Sequence, residues 1–434
     1  MAEPSPHRPK GGGKHRAPWR PLGRLGPGLI TGAADDDPSG IATYSQAGAQ
    51  FGLNMLWTVA ITFPLMVAIQ LVSARIGRVT GQGLCANLAK VFPKPAVGVL
   101  IGLLFIANTI NIGADIAAMG AAGQLITGWN AKALTVAFAA VSLGLQLFVP
   151  YHRYVQVLKW LTLALFAYVG VAFIVRVDWL QVLARTALPR LTLDRTALTV
   201  IVAVFGTTIS PYLFFWQSSE EVEELGVKHE PNLLHEPKRA AAKELVRIRW
   251  DTIVGMGFSN LVAFFIMLAT ATTLHAAGKT DIQTSAEAAE ALKPIAGQLA
   301  FVLFSLGILG TGFLAAPVLA GSSAYAIGET RGWKTGLEHW PWEAPGFYAV
   351  IVVSVVLGLG VVFSPIDPIK ALFWSAVING IIAVPIMAAT MVVGARRHEM
   401  GRYVATVGQL IFGWIATAVM ALAVGAMAWT MVAG

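Results

Sequence analysis

The sequence predicts an all-α, polytopic membrane protein whose first and sixth spans are broken at mid-membrane depth. Three observations predict it. Of 434 residues, 56% are hydrophobic and only 12% charged, with a mean hydropathy of +0.66; a soluble domain carries about 25% charged residues. Apolar runs of roughly 20 residues, long enough for a helix to cross the hydrocarbon core, recur eleven times. Two of these runs are interrupted in the middle, at Asp35-Asp36-Asp37-Pro38-Ser39-Gly40 and at Gly206-Thr207-Thr208-Ile209-Ser210-Pro211-Tyr212. The alternation over about ten residues that marks an outer-membrane strand is absent.

The elements follow in order. Residues 1–24 form a basic, Gly/Pro-rich leader, with His7, Arg8, Lys10 and Arg24. It is predicted to be a disordered tail held on the cytoplasmic side by its charge, with no cleavable signal peptide. The spans are placed at about 25–52, 55–75, 96–120, 131–149, 155–176, 198–217, 251–274, 297–326, 346–363, 368–394 and 404–432. Basic residues fall in alternate loops: Arg75, Arg78, Lys90 and Lys94; Arg153 and Lys159; Lys238, Arg239, Lys243, Arg247 and Arg249; Arg331 and Lys334; Arg396, Arg397 and Arg402. That bias puts the N-terminus inside and, across eleven spans, the C-terminus outside. The loop after the fifth span runs against it, with Arg176, Arg185, Arg190 and Arg195. The net charge of +8 is accounted for largely by inside loops, so nucleic-acid binding is not inferred.

The first break is the centre of the reading. A charge centred in a membrane helix costs roughly 2.5–3.5 kcal/mol on insertion scales. Three aspartates are tolerable there only if they face a water-filled cavity or a cation. Pro38 removes a backbone donor and Gly40 weakens the helix further. Irregular backbone at this depth belongs where it lines a cavity. A purely structural alternative exists: Asp37 as N-cap with Pro38 at the first helical position. That alternative explains Asp37 and Pro38, but neither the two preceding aspartates nor a helix start in mid-membrane.

The second break falls at the corresponding place if spans one to five form one half (about 25–190) and six to ten the other (about 191–395), with 396–434 as an extra helix. Paired broken helices in two inverted halves point to a transporter site; Ser, Thr and Pro in a buried membrane helix are the bland alternative. In span three, Asn108, Asn111 and Asp115 share one helix face, either along a permeation path or as interhelical hydrogen-bond glue. Ser259, Asn260, Ser305 and Thr311 are expected to be packing contacts, and Asn379 is left open. No histidine falls mid-membrane, which argues against a buried histidine proton relay. The run Glu220 to Glu224 reads as a solvated helix face or a cation-attracting vestibule. Cys85, the only cysteine, reads as an inert thiol in a cytoplasmic loop. No nucleophile–base pair or His/Cys cluster suggests an enzyme, and no cofactor or protein partner is inferred.

Several stretches resemble the Nramp family of divalent metal transporters. Gly26-Pro27-Gly28, Asp37-Pro38-Ser39-Gly40 and Gln46-Ala47-Gly48-Ala49 resemble its first helix, whose motif is Asp-Pro-Gly-Asn. Ser210-Pro211-Tyr212 falls where the family has Met-Pro-His, and Ala114-Asp115-Ile116-Ala117-Ala118 resembles Thr-Asp-Leu-Ala-Glu. The resemblance implies the LeuT-type fold, two inverted five-helix repeats plus an eleventh helix, and Asp37 as a metal ligand. The departures point to a divergent branch. Gly40 stands in the asparagine ligand's place and Ser210 in that of the soft methionine. Tyr212 replaces the histidine linked to proton movement, and Ala118 the glutamate of helix three. Nramp-related magnesium transporters share this loss of the methionine and of the usual proton pathway.

The candidate metal site is therefore Asp37, with Gly40 beside it, backbone carbonyls near Ile209 and Asp35, and a hydroxyl of Ser210 or Thr207. The permeation path is drawn through Asp36, Asn108, Asn111, Asp115 and Tyr212. An all-oxygen site suits hard cations such as magnesium or manganese. Transport without obligatory proton coupling is expected. The runner-up is a sodium-coupled symporter of a small organic solute, with Ser322 and Ser323 at its sodium site. A third reading, a membrane sensor or scaffold, lacks a sizeable soluble domain to carry a signal. The expected surroundings are the lipid bilayer of the cell membrane and the transported ion.

Overall fold

The computed structural model of the chain describes residues 27–149, 158, 160–190, 194–363 and 366–433. The leader 1–24, His152, Arg153 and Lys159 lie outside the described residues. Each of the eleven predicted spans has a helical counterpart. The first is α1 (Pro27–Asp35) plus α2 (Pro38–Phe51), broken where predicted. The others, with their connections, are α3 (Leu56–Thr80), α4 (Leu84–Val91), α5 (Lys94–Thr127), α6 (Ala131–Phe148), α7 (Phe166–Ile174) and α8 (Trp179–Ala187). The second half holds α9 (Arg195–Thr208), α10 (Pro211–Lys228), α11 (Lys238–Thr270), α12 (Ala300–Arg331), α13 (Pro345–Val362), α14 (Pro368–Ala395) and α15 (Val407–Ala433). By length and apolarity alone, eight helical runs among the described residues could cross a membrane: Pro38 to Thr80 counts as one run, Pro345–Gly360 is shorter than a span, and the bent pair Leu163–Ile174 and Trp179–Ala187 would make a ninth.

Two elements depart from the expectation. The basic loop after span six is largely helix, since α11 starts at Lys238 rather than near 251. The arginine-rich loop after span five carries α8, which bends by 114° from the Leu163–Ile174 helix. Asp178 caps it by accepting from the Gln181 amide at 3.1 Å. Its Leu180 and Leu183 are exposed on the surface of the protein, the layout of an interfacial amphipathic helix. The arginines expected to run against the charge bias lie on and beside this helix.

The two leading half-helices are wedged against the bundle by glycines. A Cβ on Gly32 of α1 would lie 2.2 Å from the Gly255 carbonyl oxygen of α11, and one on Gly206 of α9 would lie 2.1 Å from the Ala376 carbonyl oxygen of α14. Only glycine lets backbones meet at that distance. The breaks are thereby held at the middle of the bundle, where Asp35, Asp36 and Asp37 are all buried.

The glutamates after span six are neither a solvated face nor a bare vestibule. Arg78 of α3 pairs with Glu224 at 3.1 Å, Glu230 at 2.7 Å and Glu244 at 3.0 Å. Arg247 of α11 pairs with Glu221 at 2.7 Å and Glu224 at 2.8 Å. Asp251 continues this network upward, accepting from the Gly28 amide of α1 at 2.8 Å. Arg78 and Arg247 thus compensate Glu221, Glu224, Glu230 and Glu244, while Glu223 turns to the Tyr325 hydroxyl and the Leu337 amide.

Candidate functional site

The geometry starts from two prolines. Each lacks an N–H, so the carbonyl four residues before it loses its helical partner: Ala34 for Pro38, Thr207 for Pro211. At the second break Ser210 turns back and donates to the Thr207 carbonyl at 2.7 Å and to that of Gly206 at 2.9 Å. At the first, the Ala34 carbonyl has only the Tyr212 hydroxyl, at 3.4 Å.

Asp37 is the N-cap of α2, with φ −69° and ψ 168°, so the structural alternative is realised in part. Its Oδ1 accepts from the Ser39 hydroxyl at 2.6 Å and the Gly40 amide at 2.7 Å. A cap needs no more than that. The second oxygen, Oδ2, points elsewhere, accepting from Asn111 Nδ2 of α5 at 3.0 Å and the Tyr212 hydroxyl of α10 at 3.4 Å. Asn111 is anchored in turn by Ser375 of α14, whose hydroxyl lies 2.6 Å from Asn111 Oδ1. Groups from α2, α5, α10 and α14 thus converge on one carboxylate.

The other predicted residues divide. Asp35 and Asp36 turn away from Asp37 toward α11, where the Ser259 hydroxyl lies 2.7 Å from Asp35 Oδ2 and 3.0 Å from Asp36 Oδ1. Ser259 is therefore more than the packing contact expected of it. Asp115 is fully buried; among the described residues no side chain hydrogen-bonds to its carboxylate, which faces the Ser39 backbone amide. Asn108 does not reach Asp37; its Nδ2 donates to the Leu319 carbonyl and to the Ser322 and Ser323 hydroxyls, each at 2.9 Å. These bonds tie α5 to α12 at the two serines that the sodium-coupled reading uses. Ser305 donates to the Ala122 carbonyl at 2.8 Å, as packing requires. The Asn379 amide is buried without a partner.

On the α9–α10 side, besides the Tyr212 hydroxyl, Thr207 approaches the Asp37 cluster, its Oγ1 3.4 Å from the Ser39 hydroxyl. It also lies 3.3 Å from where a Cβ on Gly40 would be, with the Asp35 carbonyl oxygen 3.5 Å away. Ile209 ends α9, and its own N–H is bonded to Phe205. Sequence reasoning passed over Ser39 and Ser375. The first sits inside the Asp-Pro motif, and the second lies one helical turn from Asn379, a polar face that the i, i+4 spacing reveals. Among the described residues no three His, Cys, Asp or Glu side chains converge on one point. The first break offers one carboxylate among neutral oxygens, not a cage of carboxylates.

Residues 28–430 match the family described as natural resistance-associated macrophage protein-like, Nramp. The chain belongs to the Nramp family. It is 29% identical over 403 residues to the divalent metal cation transporter MntH of Acidiphilium cryptum, covering 89% of this chain and 86% of that one. It is 27% identical over 427 residues to the MntH of Deinococcus radiodurans, covering 94% and 90%. A crystal structure of the Eremococcus coleocola manganese transporter superposes with a TM-score of 0.71 at 15% identity, over 93% of this chain and 85% of that one. Mhp1, a nucleobase-cation-symport-1 transporter, gives 0.58 at 14% identity, over 94% and 92%. The LeuT-type fold expected from the Nramp resemblance holds, in a multi-pass membrane transporter. At the Nramp methionine position, Ser210 is turned into its own helix. At the Nramp histidine position, Tyr212 faces the Asp37 carboxylate.

Cys85 lies outside the membrane-spanning helices, buried at the start of α4. Burial first, then the nearby Glu329 carboxylate, pushes its thiol well above the ordinary value. It stays a thiol, in keeping with the inert reading.

Proposed function

We propose that this protein moves divalent metal cations across the cell membrane by alternating access, with magnesium or manganese as cargo and without obligatory proton co-transport. One observation carries the reading. Asp35, Asp36, Asp37 and Asp115 are buried, and among the described residues none of them forms an ion pair, whereas the buried Glu221 pairs with Arg247. A buried anion without a counter-charge is strongly disfavoured; a cation cargo supplies the missing charge. The MntH relatives and the manganese transporter support a divalent ion as that cargo. The ligand atoms are Asp37 Oδ2, the Thr207 hydroxyl, the carbonyls near Ile209 and Asp35, and retained water, all hard oxygens. Asp36, Asp115 and Tyr212 line the path. Histidine is the side chain whose charge changes around neutral pH, and a phenol stands in its place at Tyr212, so the histidine's part in moving protons has no counterpart there.

The test is uptake into liposomes across a panel of metals, with intraliposomal pH recorded at the same time. Magnesium or manganese should enter at constant pH. Failure of both ions to enter, or stoichiometric acidification tied to the metal, would refute the corresponding half of the reading. The proposed orientation has the N-terminus and the arginine–glutamate network in the cytoplasm and the C-terminus outside. A cysteine placed at exposed Gln283 should then react with an impermeant thiol reagent added outside, while buried Cys85 stays silent; labelling only from inside inverts the topology.

A further inference from the structure

The Asn111 amide holds a choice between two orientations. A serine hydroxyl carries a single proton, yet Ser375 Oγ faces two acceptors: Asn111 Oδ1 at 2.6 Å and the Leu372 carbonyl at 2.7 Å. When Ser375 donates to Asn111, the amide nitrogen points at Asp37 Oδ2, 3.0 Å away. When Ser375 donates to Leu372 instead, its lone pair can accept from the amide nitrogen. The amide then stands rotated by half a turn, with its oxygen toward Asp37. Both arrangements leave Ser375 and the end of the amide that faces it partnered. They differ at the other end: the second sets two oxygens about 3.0 Å apart with no donor between them. A cation makes that favourable, as would a proton on Asp37, and the metal-binding experiment below separates the two.

We propose that Asn111 is the second side-chain oxygen ligand of the ion held by Asp37, reached by this amide rotation, and that Ser375 makes the rotation possible. The inference rests on the functional reading above. The distance is compatible with it. Adjacent ligands of an octahedral ion at 2.0–2.1 Å lie on an edge of about 2.8–3.0 Å, whereas calcium at 2.3–2.6 Å needs an edge of about 3.3–3.7 Å. The 3.0 Å between the Asn111 amide nitrogen and Asp37 Oδ2 is an ordinary hydrogen-bond length, and an amide oxygen in the nitrogen's place would lie at the upper end of the shorter edge. Asn111 and Ser375 are both buried and come from different helices, α5 and α14. The ion therefore ties α2 to two helices that pack against each other, and the site favours ions the size of magnesium or manganese over calcium.

The experiment compares Asn111→Asp, Asn111→Leu, Ser375→Ala and Asp37→Ala with the full-length wild type, by calorimetry with manganese and magnesium, with calcium as competitor. If Asn111 only donates to Asp37, a carboxylate in its place repels Asp37 and weakens the site. If it supplies an oxygen, Asn111→Asp keeps manganese affinity at or above wild type. Asn111→Leu should weaken binding at least tenfold, and Ser375→Ala several-fold, because the rotated amide nitrogen loses its acceptor. Manganese binding lost in Asn111→Asp, or kept at wild-type strength in Asn111→Leu, overturns the rotation. If either of those results comes with loss of binding in Asp37→Ala, the Asp37 site stands without it. Wild-type binding by Asp37→Ala overturns the site itself. Size-exclusion profiles check folding, and the Asp and Ala variants keep the test decisive if Asn111→Leu does not fold.

Discussion

The two helix breaks look alike in sequence and behave differently in the fold. Each ends a half-helix with a carbonyl that proline has deprived of a donor. The α9–α10 break repairs itself: Ser210 donates back to the Thr207 carbonyl, no charge is present, and what it offers the cluster is neutral oxygen, with the Thr207 hydroxyl nearest Ser39. The α1–α2 break does not. The Ala34 carbonyl has a single hydroxyl contact at 3.4 Å, and Asp37 uses one oxygen to cap α2 while the other is presented to α5 and α10. A self-satisfied break is a joint; a break that leaves a charge facing outward from its own helix is a site. The difference lies in where the second carboxylate oxygen goes, not in the presence of Pro and Gly.

The largest expected effect separates the two duties of Asp37. Asparagine caps a helix about as well as aspartate, so Asp37→Asn keeps the start of α2 and removes only the charge. Uptake of manganese or magnesium into liposomes should fall at least a hundredfold, with thermal stability near wild type or above it, because an uncompensated buried anion has gone. Asp37→Ala should lose uptake as well, together with about 1 kcal/mol of capping. An Asp37→Asn protein that transports normally would make this break a joint like the other, and the comparison would collapse.

Much of this was legible in the chain. Periodicity and span length locate the helices, since burial in lipid forces backbone pairing within each helix, and Pro38 and Pro211 mark the breaks because a missing N–H is visible in the residue type. Side-chain direction is not visible in the same way. Asn108 and Asn111 are three apart on one helix face, yet one binds α12 and the other Asp37, a split that depends on which neighbour lies opposite each turn. Asp35 and Asp36 likewise read as companions of Asp37, but α1 ends at Asp35, and both carboxylates meet the Ser259 hydroxyl of α11, a neighbour that the sequence does not reveal. The bend that lays down α8 was missed for another reason: averaging over a span-length window hides a nine-residue amphipathic helix. The Ser375 hydroxyl was passed over because one serine in an apolar span is ordinary, and its importance comes only from Asn111 across the interface.

The smallest expected effects fall on the second break, and they test whether it is the lesser partner. Thr207 Oγ1 reaches the Asp37 cluster through Ser39, whereas the Ser210 proton is spent within its own helix. Thr207→Val keeps the shape and deletes the hydroxyl, so half-saturation for manganese uptake should rise several-fold. Ser210→Ala strips the Thr207 carbonyl of its partner. A buried acceptor left unmade costs roughly 1–3 kcal/mol, to be read as a lowered melting temperature, with half-saturation moving less than in Thr207→Val. Ser210→Met incurs the same loss but places a polarizable thioether beside the break, and soft donors favour softer metals. Its cadmium-over-magnesium preference, measured by competition in liposomes, should increase, and only partially, because Gly40 still contributes no side chain. If Ser210→Ala instead loses uptake as fully as Asp37→Asn, the serine oxygen faces the ion during transport. The second break would then be half of the binding site rather than its joint.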